Sequence, residues 1–420
     1  MNPEISRRAV LAGAGALAPA APLAGSINVR DFMAQPLLAD LDAERPSMDA
    51  SAAFKAAWQL VSERGGNLVI PPGNYFLAEP WRCEIAQPVN IRLSGWGAKL
   101  FTGPEVTGAA IEIRGAFNEY LLDIEGLAFD HRGNGRAGGC FEILGGHCVS
   151  IRRCTLEYSA VRAGYRFIVF AALPGGQRAK ESRDDRNSLW CKVEGCTIRR
   201  RSGSEPGMAA CFVQAIGAAN ALTIVDNCIQ HCAIGVAFEP DPETGSLANA
   251  AVIERNFFET VDRAGISVTI AEGHYGPTGL RILHNRFERC PAALEVLGGA
   301  EARIHSQPPF LFGNYYTAGS VDAAVSNPGG YPISSLETRY PGFGPKIDNV
   351  LYMSGGLGLR FAKGEDLRLG GYDGTANWDR GRLSFGGQWK MWIDPGNGRA
   401  YLRRGEPAFA ADGALLGDGR

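Results

Sequence analysis

The sequence predicts an all-β solenoid, a single-stranded parallel β-helix, and three observations carry that prediction. The first is a repeated unit: an apolar residue, two variable residues, Asn or Cys, one variable residue, then a large apolar residue. It reads Ile151…Cys154…Leu156, Val193…Cys196…Ile198, Ile224…Asn227…Ile229, Ile253…Asn256…Phe258, Ile282…Asn285…Phe287 and Leu311…Asn314…Tyr316, after a weaker copy at Ile124…Leu127…Phe129. The steps 227 to 256, 256 to 285 and 285 to 314 are each 29 residues; 127 to 154 is 27, 196 to 227 is 31 and 154 to 196 is 42. Such a period marks units that cannot bury an apolar face alone and must stack. The second is a further strand about eight residues after each echo, with period-two alternation. Phe141, Phe167, Val213, Phe238, Val268 and Val296 align as one apolar column. The third is the lack of helical periodicity and of the L-x-x-L-x-L pattern that a leucine-rich repeat requires.

Taken in order, residues 1–25 read as a twin-arginine signal peptide. Ser6-Arg7-Arg8-Ala9-Val10-Leu11 precedes an Ala/Gly/Leu stretch ending in small residues, with cleavage after Ala20, Ala21 or Ala24. The expected location is therefore periplasmic or secreted. Residues 26–340 read as the β-helix with its N-terminal cap. Ile27–Phe32 reads as a short strand, and Asp49–Glu63 as an amphipathic helix with Phe54, Trp58 and Val61 on one face and Asp49 as N-cap. Gly65–Tyr75 reads as a turn, a strand and a Pro-Pro-Gly turn. A helix here would close the open first coil. The first coils follow at Val89–Leu93, Ala110–Arg114 and Leu121–Phe129.

This opening stretch resembles the N-terminal signature of the pectate lyase superfamily, whose members include rhamnogalacturonase-like, epimerase-like and phage tailspike polysaccharide-degrading proteins. The resembling residues are Val29, Asp31, Phe32, Asp49, Ala52, Phe54, Gly65, Gly66, Pro71, Pro72, Gly73 and Tyr75. The likeness implies a right-handed helix and covers, through the repeats, most of 27–318. It departs after Phe32, where Met33-Ala34 and an irregular segment to Met48 replace the usual Gly-Ala and Gly-Asp-Gly run. Activity on a long glycan lying along the solenoid is what the resemblance implies.

Composition narrows the partners. With 420 residues, 45% of them hydrophobic, the chain can bury a large core, and its 55 glycines suit many tight turns. A net charge of −2 gives no electrostatic case for nucleic acid. No apolar run reaches the roughly 18 residues of a membrane span. Ten cysteines in an exported chain raise the question of disulfides. Cys154 and Cys196 occupy the repeat position that later holds Asn, which reads as buried packing, while Cys228 and Cys232 are candidates for pairing with adjacent coils. Metal-ligand spacing is absent, and no cofactor is implied.

Long connections decorate the coils: a charged insertion from Ala171 to Asn187, then Pro240–Ala248, Ala271–Pro277 and Gly298–Gln307. From about 346 to 420 the pattern becomes short strands separated by turn signals. Leu357–Phe361, Leu367–Leu369, Arg382–Phe385, Lys390–Ile393 and Ala400–Leu402 read as a small antiparallel β module. It is a candidate cap or oligomerising part. Its Trp378, Trp389 and Trp392 read as core or as a sugar-stacking surface.

For chemistry, the outward column places Glu239 beside Gln214 one coil before and Thr269 one coil after. Asp241 follows two residues on, about 6–7 Å along the strand. That separation suits an inverting glycosidase pair. A retaining pair needs carboxylates about 5 Å apart, which the two columns read here do not contain. Alternatively, Arg166 would neutralise a sugar carboxylate while His274 or Tyr275 removes the adjacent proton, as in a lyase. Asp185 and Arg186, with Lys180, Arg183 and Asp184, read as a lid or as an ordinary solvated loop. Asp130-His131-Arg132 is a further charged cluster at a coil corner. Two readings stand: an exported polysaccharide hydrolase or lyase with catalytic Glu239, Asp241, His274 and Tyr275 and substrate-binding Arg166, Gln214, Asp185 and Arg186; or a non-catalytic glycan-binding or structural β-helix.

Overall fold

The structure, a computed structural model, describes residues 25–115, 120–130, 137–158, 164–173, 188–200, 209–217, 219–298, 307–317, 321–328, 331, 333–335, 346–347, 382–385, 389–393, 400–404 and 414–415. The chain is a right-handed parallel β-helix. Three parallel sheets of 11, 10 and 9 strands carry it. Each rung contributes one strand to each sheet: for example Thr223–Val225 to the first, Cys228–Gln230 to the second and Cys232–Glu239 to the third. The next rung repeats this at Val252–Glu254, Phe257–Glu259 and Ala264–Ile270.

The corner between the first and second sheets explains the repeat. Its first residue is left-handed: Gly126, Arg153, Gly195, Asp226, Arg255, His284 and Gly313 all have φ between 51° and 78°. The next residue points inward, where its amide needs partners. Asn227 N–H donates to Asn256 Oδ1 at 3.0 Å, Asn256 N–H to Asn285 Oδ1 at 2.9 Å and Asn285 N–H to Asn314 Oδ1 at 2.9 Å. Each Nδ2 donates to a carbonyl of the preceding rung, Asn227 to Val193, Asn256 to Ile224 and Asn285 to Ile253. The ladder thus satisfies buried backbone groups that a sharp corner would otherwise strand.

A second polar ladder marks the corner between the third and first sheets. Asn249 N–H donates to Asn220 Oδ1 at 3.0 Å, and Thr278 N–H to Asn249 Oδ1 at 3.3 Å. The residues that follow, Ala221, Ala250 and Gly279, are again left-handed, and their amides donate to Asn249, Thr278 and Gln307 carbonyls.

Inside, size is matched across the core. Phe258, Phe287 and Tyr316 stack at 4.8 Å and 5.7 Å between ring centroids. Facing them are Gly235 and Gly265, where a Cβ would overlap the Phe258 and Phe287 rings respectively. Earlier rungs reverse the sizes, with Phe167 and Phe212 in the third sheet and Leu156 and Ile198 in the second, all buried.

The start is capped as expected, with local differences. Only Ile27–Asn28 is a strand; Val29–Phe32 forms a 3-10 turn capped by Asn28. The helix runs Ser51–Arg64 and buries Phe54, Trp58 and Val61. Its N-cap is Ala50, not Asp49. The Asp49 carboxylate instead accepts Ser51 N–H and Oγ–H and Ala78 N–H, tying the helix start to the first rung. A short helix, Gln35–Asp40, occupies the segment read as irregular.

Further along, Arg382–Phe385, Trp389–Ile393, Ala400–Arg404 and Ala414–Leu415 form an antiparallel four-stranded sheet. They belong to a unit separate from the solenoid. The signal segment, the strands read at Leu357–Phe361 and Leu367–Leu369, and Trp378 lie outside the described residues. Among the described residues no helix is long and apolar enough to cross a membrane. All ten cysteines, Cys228 and Cys232 included, are thiols.

Candidate functional site

The third sheet carries the longest strands. Ile111, Ile113, Phe141 and Ile143 belong to the core, so the residues between them face outward. The central outward column is fixed by register: Arg82, Glu112, Glu142, Val169, Gln214, Ala237, Ser267 and Glu295.

This register corrects the sequence-derived columns. Phe141 pairs with Ile168 rather than Phe167, and Val213 with Val236 rather than Phe238. Glu239 therefore lies beside Ile216, and Gln214 beside Ala237; the expected Glu239–Gln214 adjacency is not formed. The reason is that Val236 and Phe238 are both inward and apolar. Alternation fixes which face a residue takes but leaves a two-residue slip undetermined. At Phe167 and Ile168 two successive side chains are buried, which misleads any count by twos.

The corrected register brings two carboxylates together. Glu112 and Glu142 are direct neighbours on adjacent parallel strands, whose backbones run about 4.8 Å apart. Glu112 is buried and gripped by Arg82 at 3.1 Å, with Arg114 at 3.9 Å. Glu142 is half-buried. Desolvation, then the Glu112 charge, push its carboxyl above the usual carboxylate range, against the pull of Arg114 and Arg166. This pair was missed in the sequence. The shared phrases Ile111-Glu112-Ile113 and Phe141-Glu142-Ile143 were its signal.

Arg166 lies in the outward column beside, in register with Gly139 and Cys211. No ion pair within 4 Å engages it among the described residues, and its charge acts on both Glu142 and Cys211. Cys211 is buried, its Sγ 2.9 Å from the Val213 carbonyl, and burial raises its thiol pKa. Gln214 is buried too, with its Oε1 unpaired. Arg166, Gln214 and Glu239 thus share one face with Glu112 and Glu142.

The other expected residues lie past the strand ends. Asp241 opens a tight turn, its Oδ1 accepting Glu243 N–H at 2.9 Å and Thr244 N–H at 2.8 Å. Its side chain packs where Gly217 leaves room. The His274 ring covers Gly245 of that turn, so the two connections stack; His274 and Tyr275 are exposed. Asp241 thus holds this turn through Oδ1. Asp185 and Arg186, with the rest of the charged insertion from 174 to 187, lie outside the described residues, as does His131.

No family model matches the sequence, and no curated protein matches it. Solved structures do match the fold. The Agl-KA catalytic domain superposes with a TM-score of 0.53 at 15% identity, over 75% of this chain and 54% of that one. A tailspike protein mutant of E. coli bacteriophage HK620, in complex with pentasaccharide, gives 0.41 at 13% identity over 74% of this chain and 65% of that one. The Streptococcus pneumoniae surface protein and adhesin PfbA gives 0.40 at 13%, covering 74% of this chain and all of that one. The chain spans about half the length of the Agl-KA domain and just under two thirds of the tailspike.

Proposed function

We propose that the chain is a polysaccharide-degrading enzyme that binds a long glycan along the outward face of the third sheet, with Glu142 and Glu112 as its acid and base or nucleophile. The stacked Glu112–Glu142 pair is the observation that carries this reading. Two carboxylates with unequal surroundings are the equipment of glycosidic bond cleavage. The group with the raised pKa, Glu142, holds a proton for the leaving oxygen. Glu112, ion-paired with Arg82 and 3.9 Å from Arg114, serves as base or nucleophile. Their adjacency in one column favours the closer spacing of retaining enzymes over the wider inverting spacing expected of Glu239 and Asp241. Arg166 binds substrate beside the pair, and Glu239 extends the same face. His274 and Tyr275 border it as substrate contacts. Export by the twin-arginine route and a periplasmic or secreted location complete the reading.

The test is incubation of the purified protein with a panel of neutral and acidic polysaccharides, following reducing ends and unsaturated uronates separately. Reducing ends alone report hydrolysis. Glu142→Gln should lower turnover by about 10²–10⁴-fold, the usual weight of a general acid, and His274→Ala far less. Activity should fall as pH rises through the elevated Glu142 pKa, because the acid form is then lost. A Glu142→Gln variant as active as wild type on a cleaved substrate would remove the assignment.

A further inference from the structure

The corner ladder changes chemistry at its start. From Asn227 onward, side chain bonds to side chain: Asn227 Nδ2 to Asn256 Oδ1 at 2.8 Å, Asn256 Nδ2 to Asn285 Oδ1 and Asn285 Nδ2 to Asn314 Oδ1 at 3.0 Å. Cys196 still joins this chain through its backbone, donating its N–H to Asn227 Oδ1 at 2.8 Å. One rung earlier stands Cys154. Arg152 pairs with Glu194 and Thr155 with Thr197, which puts Cys154 and Cys196 in register between them. In-register residues on neighbouring strands lie about 4.8 Å apart, inside the span a disulfide bridges. Each thiol donates to a backbone carbonyl of this corner, Cys154 Sγ to Arg152 O at 3.4 Å and Cys196 Sγ to Ile151 O of the preceding rung at 3.7 Å. Both are buried.

We propose that Cys154 and Cys196 form a disulfide that replaces, covalently, the side-chain link the asparagines make in later rungs. The two thiols give up two protons and two electrons. One S–S bond forms, and a low-molecular-weight disulfide such as oxidised glutathione is reduced to two thiols. In the folded thiol form, the neighbouring Cys196 thiol and burial hold the Cys154 thiol well above its usual pKa. The attacking thiolate is therefore scarce once the core has closed, and the bond forms during folding. Cys140, another buried thiol, shares a hydrogen bond with the Tyr165 hydroxyl at 3.1 Å. The link would close the longest step of the repeat and join the rung of Arg166 to that of Gln214.

The experiment folds the full-length chain from denaturant with oxidised glutathione, then digests it without reductant for mass spectrometry. A peptide pair joined through Cys154 and Cys196 should be the main cross-link, absent after reduction. Alkylation of the unfolded, unreduced protein should then label eight of the ten cysteines, ten less the joined two. The linked form should melt at a higher temperature than the reduced one, as expected when a long loop is closed. Because Cys154→Ala or Cys196→Ala could impair folding, the wild-type alkylation decides. Ten labelled cysteines, a principal cross-link through Cys140, or a linked form that melts no higher would overturn the proposal.

Discussion

At the residue scale, the interior asparagines hold the corner by hydrogen bonding that no apolar side chain reproduces. Asn256 accepts from Asn227 through both N–H and Nδ2, and donates through Nδ2 to Ile224 O, Glu254 O and Asn285 Oδ1. Asn256→Leu strands several of these groups in the core. It should lower stability by about 3 kcal/mol, measured by denaturant unfolding. Glu142 gives a second expectation. Its folded pKa exceeds its unfolded value, so its favourable contribution is complete below the unfolded pKa and is lost as pH rises through the folded one. Wild type should therefore lose stability relative to Glu142→Gln as pH rises from the usual carboxylate pKa through the raised one, read as a fall in wild-type Tm relative to the variant. The ladder was legible because one polar residue type recurs at a constant step. The carboxylate pair was not, because its meaning lay in the register between coils, which alternation alone leaves open.

At the element scale, strand pairing is set by complementary volumes as much as by alternation. Gly235 and Gly265 are small because aromatic rings from the next rung occupy the space a side chain would take. Gly235→Ala should destabilise by about 1–3 kcal/mol through overpacking. Phe258→Leu in the same chain should recover part of that loss, an interaction visible in a double-mutant cycle. The same consideration explains the slipped column: Val236 and Phe238 satisfy alternation equally, and only the bulk across the core chooses between them. The second ladder at Asn220, Asn249 and Thr278 was also readable at the 29-residue step. It went unread because it mixes residue types and borders loops of variable length.

At the scale of the whole solenoid, the open first coil requires closure. The helix Ser51–Arg64 lays Phe54 and Trp58 over it, with the Trp58 indole donating to the Glu84 carbonyl at 3.2 Å. Trp81 meets both rings edge-on at 4.9 Å and 6.0 Å. Removing residues 26–64, Phe54 and Trp58 with them, should expose Trp81 and an unpaired strand edge, producing aggregation detectable by light scattering. The solenoid and its cap were legible in the sequence because they rest on periodicity and amphipathicity. The chemistry was less so, since it arises where non-neighbouring segments meet.

The constant step also makes the rung a unit of manufacture. A block from Asn227 to Arg255 begins and ends at the same point of the corner, so its two ends match any neighbouring copy. Duplicating it should splice one more storey into the tower without disturbing the hydrogen bonds on either side. Each added storey would heighten the outer wall by about 4.8 Å, so that its length becomes adjustable in whole steps.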